Sequence, residues 1–504
     1  MPITNNAAYL NQLWERACPR KRSVSQHQCW MCRRHRGQAR SHRIGASITY
    51  GVGMKSVVVI GAGPAGIRAA QTLVAHGVHP VLLDEAARGG GQIYRRQPAN
   101  FKRSAVKLYG FEARKANALH QTIDALREQL DYRPDTLVWN AEAGALDTLH
   151  DGRAARLEFS RVIVATGATD RILPVPGWTL PGTYSLGAAQ IALKFQGCAI
   201  GERVVFAGSG PLLYLVAYQY AKAGANVIAV LDSSPFSAQA RALPGLLAQP
   251  STLAKGIYYR TWLTAHGIPV HHGATLKRID GEHRVQSLNW HNAASEHRIE
   301  CDAVAFAHGL RSETQLADLL GCEFTWNPLN RAWLPQRDSA GRSSVAEVYL
   351  AGDGAGIMGA DAAEMAGERA ALALLEDIGY LIPPQRATQL EQSLNTIVRF
   401  RQGLERAFVF PEGWAADAAD DLMICRCEEV RAGDIRQVVR DGHWEINRVK
   451  AHCRVGMGRC QGRMCGAAAA EIIACESQRN LSDIGRLRAQ APIKPLPFGL
   501  EVEP

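Results

Sequence analysis

The feature that most constrains the fold is a glycine pattern that the chain states twice. "SVVVIGAGPAGIRAAQTLVAHGVHPVLLDE" (56–85) reads as an apolar strand, a glycine turn, a helix and a second strand. Val57 to Ile60 form a short run of β-branched residues, the signature of a strand buried on both faces. Gly61 permits a tight turn, Gly63 lets the backbone approach a pyrophosphate, and Gly66 allows close helix–strand packing. Pro64 and Ala65 open the helix, whose free N–H groups and dipole then point at phosphates. Asp84 stands 18 residues past Gly66, next to Glu85 at the end of the second strand, placed to accept hydrogen bonds from a ribose. A glycine-rich turn in some other α/β protein is the plainer alternative, but it does not bring both strands and the acid into register.

"ERVVFAGSGPLLYLVAYQYAKAGANVIAVLD" (202–232) repeats the pattern. Gly208 and Gly210 hold the first two glycine positions, Asp232 ends the next strand, and Leu213 stands at the third position. A leucine there sets helix and strand farther apart. The sequence therefore leaves the ligand of this second turn open: NAD(P), another adenine nucleotide, or none.

Composition narrows the class. A chain of 504 residues needs more than one core, and 47% hydrophobic with 21% charged residues suits a soluble globular protein. No run of about 18 apolar residues suggests a membrane span, and no leader pattern suggests secretion. The net charge of +10 hints at nucleic acid, but residues 1–53 hold Lys21 and eight arginines against Glu15 alone. Eight of the ten excess charges thus sit in one end segment that lacks apolar periodicity, a tail property that argues against nucleic-acid binding by the fold. Met54 stands directly before the first strand and reads as the natural start. Cys29 and Cys32 have zinc-like spacing but no second pair nearby. The other cysteines should stay reduced in a cytoplasmic chain, and five of them crowd between 425 and 465.

Two later stretches bear on the cofactor. "RVIVATGATDRILPVPG" (161–177) is a strand ending in Thr166-Gly167, and "AEVYLAGDGAGIMGADAAEMAGERAAL" (346–372) runs through Gly352-Asp353 into an Ala-rich helix. Both resemble the companion motifs of two-dinucleotide-domain flavoproteins, the glutathione-reductase-like class. That resemblance implies FAD at the first turn, with Asp353 on its ribityl or phosphate part. It also places "GGGQIY" (89–94) beside the isoalloxazine, with Gln92 as a contact. Disulfide reductases of this fold carry a redox cysteine pair beside the flavin. Here Cys198 alone lies between Met54 and the second turn, which excludes that chemistry.

Cys425 and Cys427, then 32 intervening residues, then Cys460 and Cys465 form two tight thiol pairs. Thiolates suit iron–sulfur clusters or zinc, and glycines 456, 458, 462 and 466 let backbone fold around a centre. The spacing resembles the bacterioferritin-associated-ferredoxin-like [2Fe–2S] domain. A structural zinc site on the same four ligands is the alternative, and Cys453 is read as a spectator.

The fold class expected is α/β: two Rossmann-like dinucleotide-binding domains plus a small C-terminal [2Fe–2S] domain. The segments are a basic extension (1–53), a discontinuous FAD domain (54–180 and 310–380), an inserted dinucleotide domain (185–309), a helical connector (386–420), the cluster domain (421–478) and an extended tail (479–504). With "GGQIYRRQP", "LYGFEARKANALH" and "CQGRMCG", the chain resembles the alpha subunits of heteromeric flavin-dependent opine and D-hydroxyproline dehydrogenases and of hydrogen cyanide synthase. Its dinucleotide domains resemble part of the alpha subunit of sarcosine oxidase. The resemblance implies an FAD/[2Fe–2S] electron-transfer subunit, with amine oxidation on a beta subunit that contains its own FAD. A small ferredoxin-like gamma subunit is implied as a further partner. Membrane association through the electron acceptor is left open. No constellation for amine oxidation is recognisable here; His271, His272 and His308 are isolated, and no catalytic residue is assigned. A stand-alone NAD(P)H:acceptor oxidoreductase is the second reading, and a non-enzymatic scaffold the third.

Overall fold

In a computed structural model, residues 56–98, 103–292, 295–499 and 501–502 are described. The basic start, with Met54, Cys29 and Cys32, lies outside the described residues. The first sheet is built around the twelve-residue strand Arg153–Val164, which serves two partners. Its second half lies parallel between Ser56–Ile60 and Val348–Leu350, and the order continues outward through Val81–Leu83 to Asp131–Arg133. Its first half pairs antiparallel with Ala145–His150, which pairs with Thr136–Glu142. Valines 58, 59 and 162 and Ile163 are fully buried, as strands covered on both faces require.

The second sheet repeats this plan. Five parallel strands run in the order Val270–His272, Val227–Asp232, Val204–Ser209, Ala303–His308 and Thr183–Ser185. A three-stranded antiparallel meander, Thr275–Asp280, Ser287–His291 and Glu296–Glu300, accompanies it. The chain leaves and re-enters the first half through a two-stranded ribbon, Ala168–Asp170 against Leu310–Ser312.

After the re-entry strand Val348–Leu350 comes the Ala-rich helix Ala360–Asp377. It crosses the helix Pro64–Ala75 so closely that a Cβ on Gly367 would lie 2.0 Å from the Ala65 carbonyl oxygen. Pro383 and Pro384 then start the long helix Pro384–Ala407. The C-terminal portion is a hairpin, Met423–Cys425 against Val430–Arg431, with helices Ala432–Arg440, Ile446–Cys453 and Gly466–Ser477.

That portion shares one apolar core with the second sheet, in which Ile424, Val449 and Ile472 join Val205 and Leu231. Two indoles pin the joint: Trp178 donates to the Met423 carbonyl at 2.7 Å, and Trp414 to the Pro174 carbonyl at 2.9 Å. Beyond residue 479 the chain lies along the first half. Arg486 and the Ala489 amide bind Asp318, the Ile493 amide donates to the Trp139 carbonyl at 3.0 Å, and Glu501–Val502 pairs with Arg153–Ala154.

Candidate functional site

The first glycine turn is determined by backbone contact. Gly61 has φ +103°, and a Cβ there would lie 2.4 Å from the Ala165 carbonyl oxygen. A Cβ on Gly66 would lie 1.7 Å from the Gly61 carbonyl oxygen, so no side chain fits. Gly63 packs against the 89–91 stretch: a Cβ on Gly91 would come 2.9 Å from the Gly63 Cα. No side chain caps the helix Pro64–Ala75, which leaves its first amides for a ligand. Thr166 and Gly167 close one side of this turn and Gly352 the other, where a Cβ would approach the Ala65 methyl at 2.9 Å. Asp353 turns its Oδ1 onto the amides of Met358 and Gly359, at 2.8 and 2.9 Å, and so orders the start of the next helix.

The two acids at the strand end divide differently from the sequence reading. Asp84 points inward: Oδ2 accepts the Ala62 amide and Oδ1 the Ala86 amide at 2.7 Å. Burial pushes its carboxyl up to about 6 against the pull of those two amides. The exposed carboxylate is that of Glu85, which pairs with Lys494 of the tail. Gln92 accepts from Arg95 at 2.8 Å. Sequence reasoning missed Lys194. It lies only 2% exposed in the π-helical turn Ala192–Gln196 and donates to the Ile93 carbonyl at 3.1 Å, behind the "GGGQIY" loop. Burial, with Arg95 nearby, lowers its pKa to about 8. An isolated lysine in a helical stretch carries no sequence signal for such a position.

The second turn keeps the backbone and changes the side chains. Gly208 is as confined as Gly61, with a Cβ 1.8 Å from the Ala307 carbonyl oxygen, and Gly210 has φ +109°. Leu213 is fully buried in the core. Asp232, expected to face a nucleotide, has no exposed surface. It accepts from Tyr214 at 2.5 Å, from Gln239 at 2.8 Å and from the Ser234 amide at 2.8 Å. A carboxylate enclosed and satisfied by its own chain does not reach a ribose, which corrects the sequence expectation for this residue. His271 packs beside Trp290, His272 lies 3.7 Å from Asp232, and His308 is buried.

The four terminal thiols are brought together. Cys425 and Cys465 are 1% exposed, and Cys427 and Cys460 are half-buried. They run as hydrogen-bonded neighbours in the sequence Cys427, Cys460, Cys465, Cys425. The Cys465 thiol and the amides of Gly456, Glu428 and Cys427 hold Cys425 down to about 6, while the same thiol and the amides of Met464 and Gly462 hold Cys460 down to about 5. Cys465 is pushed up by its bonds to Cys425 and Cys460, and Cys427 by burial. Backbone amides aimed at sulfur favour thiolate, the form that ligates metal. Gly458 is required here, since a Cβ would lie 2.2 Å from the Cys427 Cβ. Among the described residues, no group of three or more His, Cys, Asp or Glu side chains is arranged to hold a single metal ion. Cys453 donates to the Val449 carbonyl at 3.3 Å, and Cys198 is exposed and has no cysteine partner among the described residues.

The cysteine loop is fastened to the first half by side chains in the ribbon and just past it. Arg311 donates to the carbonyls of Gly462 and Arg463 at 3.1 and 3.2 Å, and Gln315 to that of Gln461 at 2.7 Å. Arg463 forms a two-pronged pair with Glu313, at 2.6 and 3.3 Å, and also donates to the carbonyls of Cys460 and Ile493. Glu313 in turn is bound to the Thr166-Gly167 motif: its carbonyl accepts from the Thr166 hydroxyl at 2.6 Å, and its amide donates to the Gly167 carbonyl at 2.9 Å. One residue thus touches both the glycine motif and the cysteine loop.

Two parallel sheets, each with a glycine turn and a meander, define a flavoprotein oxidoreductase fold, and comparison gives its family. Residues 55–367 match the pyridine nucleotide-disulphide oxidoreductase family, to which the chain belongs, and residues 422–501 match the sarcosine oxidase A3 domain. The chain is 36% identical to an opine oxidase subunit of Agrobacterium tumefaciens (strain Ach5), over 87% of this chain and 90% of that protein. It is 34% identical to hydrogen cyanide synthase subunit HcnB of Pseudomonas aeruginosa, over 88% of this chain and 97% of that protein. L-proline dehydrogenase from P. horikoshii shares the fold, with a TM-score of 0.66 at 21% identity, covering 89% of this chain and 79% of that one. The relatives are subunits, and the chain is a flavin oxidoreductase subunit of a heteromeric enzyme. No helix among the described residues is long and apolar enough to cross a membrane.

Proposed function

We propose that this chain is the electron-transfer subunit of a heteromeric dehydrogenase that oxidises the C–N bond of an opine, D-hydroxyproline or a related amino acid. FAD would be held at the first turn by Gly61, Gly63, Pro64, Ala65 and Gly66, with Glu85 toward the ribose and Gln92, Thr166, Gly167, Gly352 and Asp353 around the rest. Cys425, Cys427, Cys460 and Cys465 would hold a [2Fe–2S] cluster. When bound, the flavin supplies two-electron and the cluster one-electron exchange.

The observation that carries this reading is the Glu313–Arg463 pair, which joins the Thr166-Gly167 motif to the cysteine loop. Arg311 and Gln315 support it by fixing the loop's backbone, and both partners of the ion pair are nearly buried, which favours one geometry. Two thiol pairs suit a binuclear cluster, which takes two ligands at each iron, better than a lone zinc, which needs four ligands converging on one point. The relatives are named as subunits of an opine oxidase and of a hydrogen cyanide synthase, which supports an opine-type donor and a heteromeric complex; in this reading a beta subunit with its own FAD and a small ferredoxin-like gamma subunit are the partners. A nicotinamide-fed reductase is less well supported, because Asp232 is spent on Tyr214, Gln239 and Ser234.

The test is co-expression with a beta subunit of the sarcosine-oxidase-beta-like class. A complex that co-purifies and reduces dye in an amine-dependent way supports the reading. Opine oxidation at full rate by the isolated chain contradicts it, as does rapid flavin bleaching by NADH.

A further inference from the structure

Lys194 is buried without an acid to answer it. Its Nζ donates to the Ile93 carbonyl at 3.1 Å, the Tyr109 ring centroid lies 6.0 Å away, and the charged group that acts on it is another cation, Arg95. The acids of the neighbourhood are committed elsewhere. Glu112 accepts from Tyr94 at 3.2 Å and pairs with Lys255 and Lys115, and Asp84 is held by two backbone amides. Taking an ammonium out of water without a counter-ion is costly. Burial nevertheless lowers its pKa only to about 8, so the group remains mainly charged at pH 7.

Local backbone puts the lysine there. The Ser185 hydroxyl caps the helix Leu186–Ile191 by accepting the Ala188 amide at 3.2 Å, and the helix then loosens into the π-turn Ala192–Gln196, which Gly197 closes at φ +74°. Single π-turns of this kind recur at functional sites. The residue after Lys194, Phe195, lies under the Arg95 guanidinium at 5.7 Å, so both cations address the 89–94 loop. That loop is pressed on the first glycine turn: the Gly90 amide donates to the Ala62 carbonyl at 2.8 Å, and Gly91 packs on Gly63. The second half thus delivers a buried charge to the loop that covers the first turn.

We propose that Lys194 is a positioning residue of the flavin site: its ammonium fixes the 89–94 loop through Ile93 and, as a buried cation without a counter-ion, favours the reduced flavin over the oxidised one. The inference rests on FAD lying at the first turn. A flavin that takes two electrons from the amine donor and one proton becomes an anion, whereas the oxidised ring is neutral. A fixed cation in surroundings of low dielectric therefore holds the reduced form more tightly, and its removal lowers the midpoint potential.

The test uses the full chain with its bound FAD, reduced stepwise with dithionite against a reference dye, in wild type, Lys194→Gln and Lys194→Arg. Glutamine still donates to the Ile93 carbonyl but carries no charge. Lys194→Gln should therefore keep its FAD while the two-electron midpoint falls by about 30 mV or more, a tenfold loss of preference for the reduced form. Lys194→Arg, which restores the charge, should stay near the wild-type midpoint. Arg95→Glu, which sets a carboxylate beside the ammonium at a half-buried position, should lower the midpoint as well and decides the matter if Lys194→Gln does not hold FAD. A lysine that only braced the loop would leave the midpoint unmoved in Lys194→Gln. That result, an unmoved midpoint in Arg95→Glu where Lys194→Gln loses its FAD, or equal falls in Lys194→Arg and Lys194→Gln overturns the proposal. A wild-type chain that carries no flavin overturns the electron-transfer reading and this inference with it.

Discussion

The two glycine turns share a sheet order, a meander and an aspartate at the end of the second strand, yet they present different surfaces. In both, that aspartate accepts the amide two residues on, Ala86 in the first turn and Ser234 in the second, at 2.7 and 2.8 Å. It is a turn-former in each case. The residue after it makes the difference: Glu85 stands exposed in the first half, and Ser233 occupies the same place in the second. The third glycine position differs likewise, with Gly66 pressed on the Gly61 carbonyl and Leu213 filling the core. The first turn presents an exposed carboxylate, and the second turns its aspartate and its third position into the core.

Exchanging residues between the turns should break the comparison most sharply. Gly66→Leu, which imports the second turn's residue, should abolish flavin retention, read as the FAD-to-protein ratio after gel filtration, because even a Cβ meets a carbonyl at 1.7 Å. Leu213→Gly should gain no NADH binding and should cost about 3 kcal/mol or more in urea unfolding, from the cavity it leaves.

The next largest effect lies where the halves meet the cysteine loop. Arg463→Ala removes the two-pronged partner of the partly buried Glu313, with an expected loss of about 2–3 kcal/mol that should appear as earlier proteolysis within 421–499. A third effect is confined to the second half. Burial and the neighbouring Arg171 lower His308 to about 4 from an ordinary 6.5. The unfolded chain therefore takes up the proton first, so stability is present above pH 6.5 and falls as pH drops toward 4. The loss is up to about 3 kcal/mol. Denaturation midpoints compared across that range, in wild type and His308→Gln, should show the variant with the flatter profile. The smallest expected effect is Glu85→Gln, which should weaken FAD about tenfold by loss of a charged acceptor, while Ser233→Ala leaves FAD binding unchanged.

Much of this was legible in the sequence because glycine spacing reports backbone contact directly. The strand–turn–helix units at 56–85 and 202–232, the interruption of the first half and the pairing of four cysteines all follow from local pattern. Side-chain direction did not follow. Whether Asp84 or Glu85 faces outward depends on which one the 60–63 turn captures, and Asp232 is enclosed by Tyr214 and Gln239 from a helix and a loop that the spacing does not locate. The tail, read as extended, does lie extended along the first half, but its anchor was not legible: Asp318, 168 residues before Arg486, supplies the carboxylate that holds it. Lys194, Arg311 and Glu313 were invisible for the same reason: their partners are distant in sequence and carry no motif.

The proposed electron-transfer role requires a flavin at the first turn and a binuclear cluster on cysteines 425, 427, 460 and 465. Flavin, iron and acid-labile sulfide analysis of the purified full chain, with electron paramagnetic resonance after reduction, tests that requirement most directly. The expected result is one FAD with about two irons and two sulfides per chain, and a signal of the reduced cluster that is lost in Cys465→Ser. Zinc in place of iron, or a colourless protein without flavin, would contradict it.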